Sequence, residues 1–184
     1  MKIWKLGCEV DVFRGFHLKN ESDIELINNN IDKGKIVSDW EVVEIIGDSN
    51  NKTGDNPKFW SYSNVIMLSE LAKKILNDRF NEYVQFLPVI NIENKERFYM
   101  CNILNILDGI DYDKSEFKKL LGVHIVDVVK YELKENAKNI PIFKLYLHNS
   151  VMTPYIFVND EFQQLIEDSN LKGFKFTEVF DFEA

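Results

Sequence analysis

From residue 64 onward the apolar positions fall into runs whose period switches between strand and helix spacing. Asn64-Val-Ile-Met-Leu68 predicts a buried strand, and Ser69 after it has the character of a helix N-cap. Leu71, Ala72, Ile75, Leu76 and Phe80 then recur on one helical face, with Lys73, Lys74 and Asn77 opposite. Tyr83–Val89 returns to strand, and Pro88 places it at a sheet edge or a strand end. Phe98–Leu107 is a β-rich stretch closed by Asp108-Gly-Ile-Asp-Tyr-Asp113. Gly122–Leu133 alternates, with Val123, Ile125, Val129, Tyr131 and Leu133 on one face and only Asp127 interrupting it. Pro141–Leu147 is a further strand.

The first sixty residues are less regular. Lys2–Leu6 and Trp40–Ile46 read as strands, and Glu21–Asn30 as a short helix stopped by three asparagines. Gly47–Pro57 is built from turn-forming residues and is longer than most connections, the profile of a functional loop.

The pattern repeats. Residues 155–179 lie on residues 65–89 without a gap, at a constant offset of ninety. Strand Tyr155–Val158 falls on Val65–Leu68, Asn159 on Ser69, and Phe162, Leu165 and Ile166 on Ala72, Ile75 and Leu76. Phe176 and Val179 match Phe86 and Val89 in the exit strands. Only four of the twenty-five aligned positions are identical, so duplication and convergence on a common supersecondary unit both remain open. Two strand-helix-strand units among other strands predict a single α+β domain over 1–184, with mixed β-sheet and few helices. Within it 1–60 would be an irregular N-terminal part and 64–180 the core.

Composition narrows the function. The chain has 184 residues, one domain's worth, and a formal net charge of −8, which disfavours a nucleic-acid partner. No apolar run approaches the ~18 residues of a membrane span, and the N-terminus lacks a secretion signal, so a cytoplasmic protein is expected. Cys8 and Cys101 match no zinc spacing and are expected as reduced, buried thiols. Asp108, Asp111, Asp113 and Glu116 resemble a metal loop only in outline, because the glycine comes inside the cluster and the glutamate too early. The preferred reading there is a solvated turn opening a short helix capped by Asp113 or Ser115. His17, His124 and His148 have no ligand partner at helical spacing. Catalytic, cofactor and metal residues are therefore expected to be absent.

Charge is uneven. Residues 39–56 hold five acids against Lys52, and residues 155–184 hold seven against Lys172 and Lys175. Such patches would steer a basic protein partner, and Asp48, Asp55, Phe59, Trp60 and Tyr62 are the candidate contacts around the long loop. The rival is a solvated loop and tail that aid solubility.

One resemblance spans Met67–Leu76, Phe86–Val89, Tyr99–Leu104, Leu107–Ser115, Ile142–Leu145, Ile156–Asp160 and Leu171–Phe176, in that order. This set resembles the bacterial polymorphic-toxin immunity proteins of immunity family eleven, the Myxococcus-type immunity domain. It implies a cytoplasmic protein that binds and neutralises a cognate toxin domain, without catalytic residues or cofactor. Its pattern consists of core and turn positions, so it transfers no functional residues. Two other classes stay open: a small metal-dependent enzyme using Asp108–Asp113 with His124, and a housekeeping adaptor subunit. Monomer and homodimer also stay open.

Overall fold

The computed structural model describes residues 1–49, 51–62 and 65–184; Asn50 of the expected loop, Ser63, and Asn64 of the expected strand lie outside the described residues. In chain order the strands are β1 (Lys2–Cys8), β2 (Phe16–Leu18), β3 (Val43–Gly47), β4 (Met67–Ser69), β5 (Val84–Asn91), β6 (Arg97–Ile103) and β7 (Ile106–Leu107). They continue with β8 (Glu116–Leu120), β9 (His124–Lys130), β10 (Ile142–Leu147), β11 (Ser150–Val151), β12 (Ile156–Asn159) and β13 (Phe174–Asp181). The helices are α1 (Ile24–Asn30), α2 (Glu70–Phe80) and α3 (Asp160–Asp168). One sheet runs β11-β10-β12-β1-β13, with β7 beside β10; a second runs β2-β3-β5-β6-β4; β8 and β9 form a separate hairpin. The chain is a single α+β domain with mixed sheets and few helices.

The two strand-helix-strand units share one geometry. β4 and β5 both run antiparallel to β6, and β12 and β13 both run antiparallel to β1, so each unit has two parallel strands with one strand between them. Register is preserved at the same offset. Leu68, Tyr99 and Pro88 stand abreast in one sheet, as Val158, Trp4 and Glu178 do in the other. Met67, Met100 and Leu87 likewise correspond to Phe157, Lys5 and Thr177. Both helices start from the expected caps: Ser69 Oγ accepts from Ala72 N at 3.1 Å, and Asn159 Oδ1 from Phe162 N at 3.1 Å. Each cap satisfies one of the orphan amides of a first turn.

Both units turn the same face to a shared core. Leu68, Ala72, Leu76 and Phe80 pack with Val158, Phe162 and Ile166, and the Phe80 and Phe162 rings stack 5.4 Å apart. A second core lies on the other face of the β2–β6 sheet, around Phe16, Ile27, Ile45, Phe59 and Phe98. A third covers the other sheet, around Ile3, Phe143, Phe157, Val128 and Tyr131. Strands covered on both faces lose polar alternation, which is why Ile156–Asn159 is buried at every residue. Across these layers Lys144 of β10 forms a buried ion pair with Asp32, just beyond α1, and also donates to Thr153 O at 3.3 Å.

Several expectations need correction. Leu71 is 56% exposed rather than in the core, because α2 buries only the Ala72–Leu76–Phe80 stripe. Strand β5 is internal, not an edge. Pro88 is tolerated because pairing with β3 begins one residue later, at Val89; there the indole N–H of Trp40 donates to Pro88 O at 2.9 Å. Trp40 accordingly lies outside β3, which starts at Val43. No helix follows Asp113–Ser115; Glu116–Leu120 is strand β8, paired with β9. The alternating face of 122–133 is also broken. Two register shifts in the hairpin let Val129 slip to the outside, while Val128 turns inward at 4% exposure and Val123 is exposed.

Candidate functional site

Segment 58–60 runs beside β2: Phe16 N donates to Lys58 O at 2.8 Å and Trp60 N to Phe16 O at 2.9 Å. Extended backbone sends alternate side chains to opposite faces. Phe59 therefore points into the second core at 1% exposure, and Trp60 points out at 46%. The β3 end brings Asp48 to the same place. Its Oδ2 accepts from Trp60 Nε1 at 2.7 Å and its Oδ1 from Gly15 N at 2.9 Å, while Asp48 N donates to Gly15 O at 3.0 Å. Only glycine fits at position 15, since a Cβ there would stand 2.2 Å from Trp60 Nε1.

Burial alone would raise the Asp48 carboxyl, but the hydrogen bonds from Trp60 and Gly15 outweigh it and hold it below the usual carboxylate range. His17 stacks near the Trp60 ring, with centroids 6.4 Å apart, and Lys58 Nζ lies 5.7 Å from the ring centroid. The result is a half-exposed indole fixed by a carboxylate, an aromatic surface that needs little further ordering on binding.

The other sequence candidates make contacts within the fold. Asp55 clamps the loop to both units: Oδ1 accepts from Ser69 Oγ at 2.6 Å, Oδ2 from Lys172 N at 2.9 Å, and Asp55 N donates to Lys172 O at 2.8 Å. Tyr62 packs on the second core, where burial and then the carboxylate of Asp32 push its phenol up. The structure thus joins Asp48 with Trp60, while Asp55 ties the loop to both units and Phe59 and Tyr62 pack on the second core. Sequence reading missed Gly15, in the irregular segment before β2, and His17, inside β2; the lone signal was a glycine between Arg14 and two aromatic residues.

Two carboxylates of the acidic cluster pair with lysines. Asp108 pairs with Lys134 at 3.0 Å and Asp111 with Lys114 at 3.1 Å. Among the described residues no three His, Cys, Asp or Glu side chains come together to hold a metal ion. Burial pushes both thiols up, Cys101 furthest, away from the thiolate a nucleophile needs. No helix among the described residues is long and apolar enough to cross a membrane.

A search of curated proteins found no match. Comparison with protein families matches residues 19–181 to the Immunity protein family (Imm11), a span that reaches well upstream of the segments carrying the sequence resemblance and includes Asp48 and Trp60. With nearly the whole domain matched, the chain belongs to the Imm11 immunity protein family.

Proposed function

We propose that this protein protects by binding a cognate toxin domain and covering its working surface, without chemistry of its own, and that the Asp48–Trp60 pair is a point of contact. Family membership supports the immunity role. The single structural observation that carries the contact is the half-exposed Trp60 indole locked by Asp48 at 2.7 Å. Tryptophan concentrates binding energy when its pocket is dry, and an acidic neighbour favours a basic partner. The acidic stretches 39–56 and 155–184 add long-range steering, which acts on the association rate more than on final affinity.

The test is binding of candidate cognate toxin domains to purified variants with unchanged circular dichroism. Trp60→Ala is expected to weaken the complex at least ~30-fold, the hot-spot range. Asp48→Lys is expected to slow association and flatten its dependence on salt. Binding by both variants at the parent's affinity and rate would remove Asp48–Trp60 from the interface. Absence of any complex with the parent would overturn the neutralisation reading itself.

A further inference from the structure

The two halves differ in what lies beyond their exit strands. Along the outside of β5 runs β3, parallel to it, with Val43, Glu44 and Ile45 beside Val89, Ile90 and Asn91. β13 holds the place of β5 in the other half, and among the described residues no strand pairs with its outer edge. Equivalent places can be traced through the middle strands. Glu178 stands opposite Trp4 as Pro88 does opposite Tyr99, and Asp181 opposite Lys2 as Ile90 does opposite Arg97. The one extra residue, Val179, is absorbed by a bulge. Lys2 N donates to Asp160 on the β12 side, so the backbone of Lys2 and Trp4 faces β12. In antiparallel pairing the N–H groups of their partners Asp181 and Glu178 therefore turn outward, away from β1. Outward N–H groups on an edge strand are a ready site for a further strand.

Packing differs in the same way. Val43 and Ile45 of β3 close the second core, and Val89 beneath them is fully buried. Phe180, in the place of Val89, packs on the third core but is only half-buried. Beside it a groove of about 620 Å³ is walled by β13 and the segment after β9, with Tyr131, Leu133, Val179 and Phe182 as apolar lining. The five side-chain carboxylates that also line it are each ion-paired within the chain. Their charge is already answered. What the groove still offers is a backbone edge and an apolar wall, the two features that recognise an extended strand.

We infer that this edge takes up an extended segment of the toxin domain, added parallel to β13 as β3 is added to β5. The segment carries uncharged aliphatic side chains at alternate positions, over Val179, Phe180 and Phe182. Backbone pairing gives the segment its direction, and its inward side chains complete the third core as Val43 and Ile45 complete the second. Direction separates this occupant from a second copy, because two β13 edges related by a two-fold axis normal to the sheet run antiparallel. The inference rests on the toxin-binding reading above, though not on the Asp48–Trp60 contact.

Amide hydrogen exchange on the intact protein, alone and saturated with a candidate cognate toxin domain, tests it. In the free protein Glu178 and Asp181 are expected to exchange quickly, and Thr177, turned toward Lys5 of β1, slowly. The complex is expected to slow Glu178 and Asp181 at least ~100-fold and to leave Thr177 as it was. Val179→Lys, which sets a charge in the apolar wall, is expected to weaken the complex at least ~10-fold. Thr177→Lys, at an exposed neighbour on β13, is expected to do the same and keeps the test readable should Val179→Lys misfold. A complex that leaves both amides as fast as in the free protein overturns the edge while neutralisation stands, and so does unchanged affinity in the folded variants. Slow exchange at both amides in the free protein, with a dimer in sedimentation velocity, gives the edge to a second copy and also overturns it. Failure of every candidate domain to bind the parent removes the inference together with the neutralisation reading.

Discussion

Trp4 and Tyr99 occupy the same position in the two halves of the molecule and do the same thing there. Trp4 Nε1 donates to Asp160 Oδ1 at 3.0 Å, and Tyr99 Oη to Glu70 Oε2 at 2.6 Å. Asp160 and Glu70 are the first residues of α3 and α2, ninety apart in sequence, where a carboxylate also suits the positive end of the helix dipole. Each aromatic ring lies near a lysine, Lys2 for Trp4 and Lys73 for Tyr99. The correspondence extends beyond backbone register to a side-chain contact that no core pattern demands.

The equivalence has a topological consequence. In the first half the middle strand β6 follows β5 through a turn; in the second half β1 takes that place from the other end of the chain. Phe182 N donates to Met1 O at 3.1 Å, so the two termini meet where a β13–β1 turn would sit. Joining Ala184 to Met1 by a short Gly/Ser linker and opening the chain between Asn94 and Lys95, in the β5–β6 turn, is expected to keep the fold. Cooperative urea unfolding followed by tryptophan fluorescence would show this. A broad, non-cooperative transition would mean that the β5–β6 connection is not interchangeable with the β13–β1 junction.

The shared core predicts matched costs. Leu76 and Ile166 are equivalent, with 4% and 2% exposure. Truncation of either to Ala is expected to cost ~2–5 kcal/mol through the cavity it leaves. Leu71→Ala, on the exposed side of α2, is expected to change stability by less than ~0.5 kcal/mol. Equilibrium denaturation decides, and a large loss at Leu71 with none at Leu76 would invert the assigned helix face.

These two cases also show what was legible in the sequence. The offset of ninety, both caps and both helices were readable because local signals, a cap and a period, carry them. Leu71 was misplaced because its spacing fits the helical stripe, yet α2 turns only the Ala72 side to the partner helix. The face of the β8–β9 hairpin was misread because period two cannot reveal a bulge, and two bulges exchange inside for outside within seven residues. Trp60 and Asp48 were both visible as residue types. Their union was not, because it depends on the pairing of segment 58–60 with β2.

Asp32 and Lys144 form a buried pair, with side chains 3% and 1% exposed, joining the turn after α1 to β10. Burial pushes the Lys144 amine down and the Asp32 carboxylate partly restores it. Removing one partner leaves a charge stranded in the core, so Lys144→Met is expected to destabilise by ~3–5 kcal/mol. Asp32→Asn with Lys144→Met removes both charges and is expected to recover part of that loss. If the single variant is as stable as the parent by urea denaturation, the pair is not desolvated in solution.

Asp48 gives a prediction with a pH signature. Its carboxyl lies lower in the folded protein than in the unfolded chain, so the unfolded state binds its proton more readily. The contribution of Asp48 is therefore fully present above the ordinary carboxylate value of ~3.9 and is lost as pH falls through the lower folded value. Asp48→Asn cannot titrate and lacks this component. The stability difference between parent and Asp48→Asn, measured by urea denaturation, should be constant from neutral pH down to about pH 5 and shrink at more acid pH. The indole N–H resonance of Trp60 should move over the same acid range, because that N–H donates to the titrating oxygen. A difference that stays flat to the acid limit, with a Trp60 resonance that does not move, would show that the carboxylate does not hold the indole in solution.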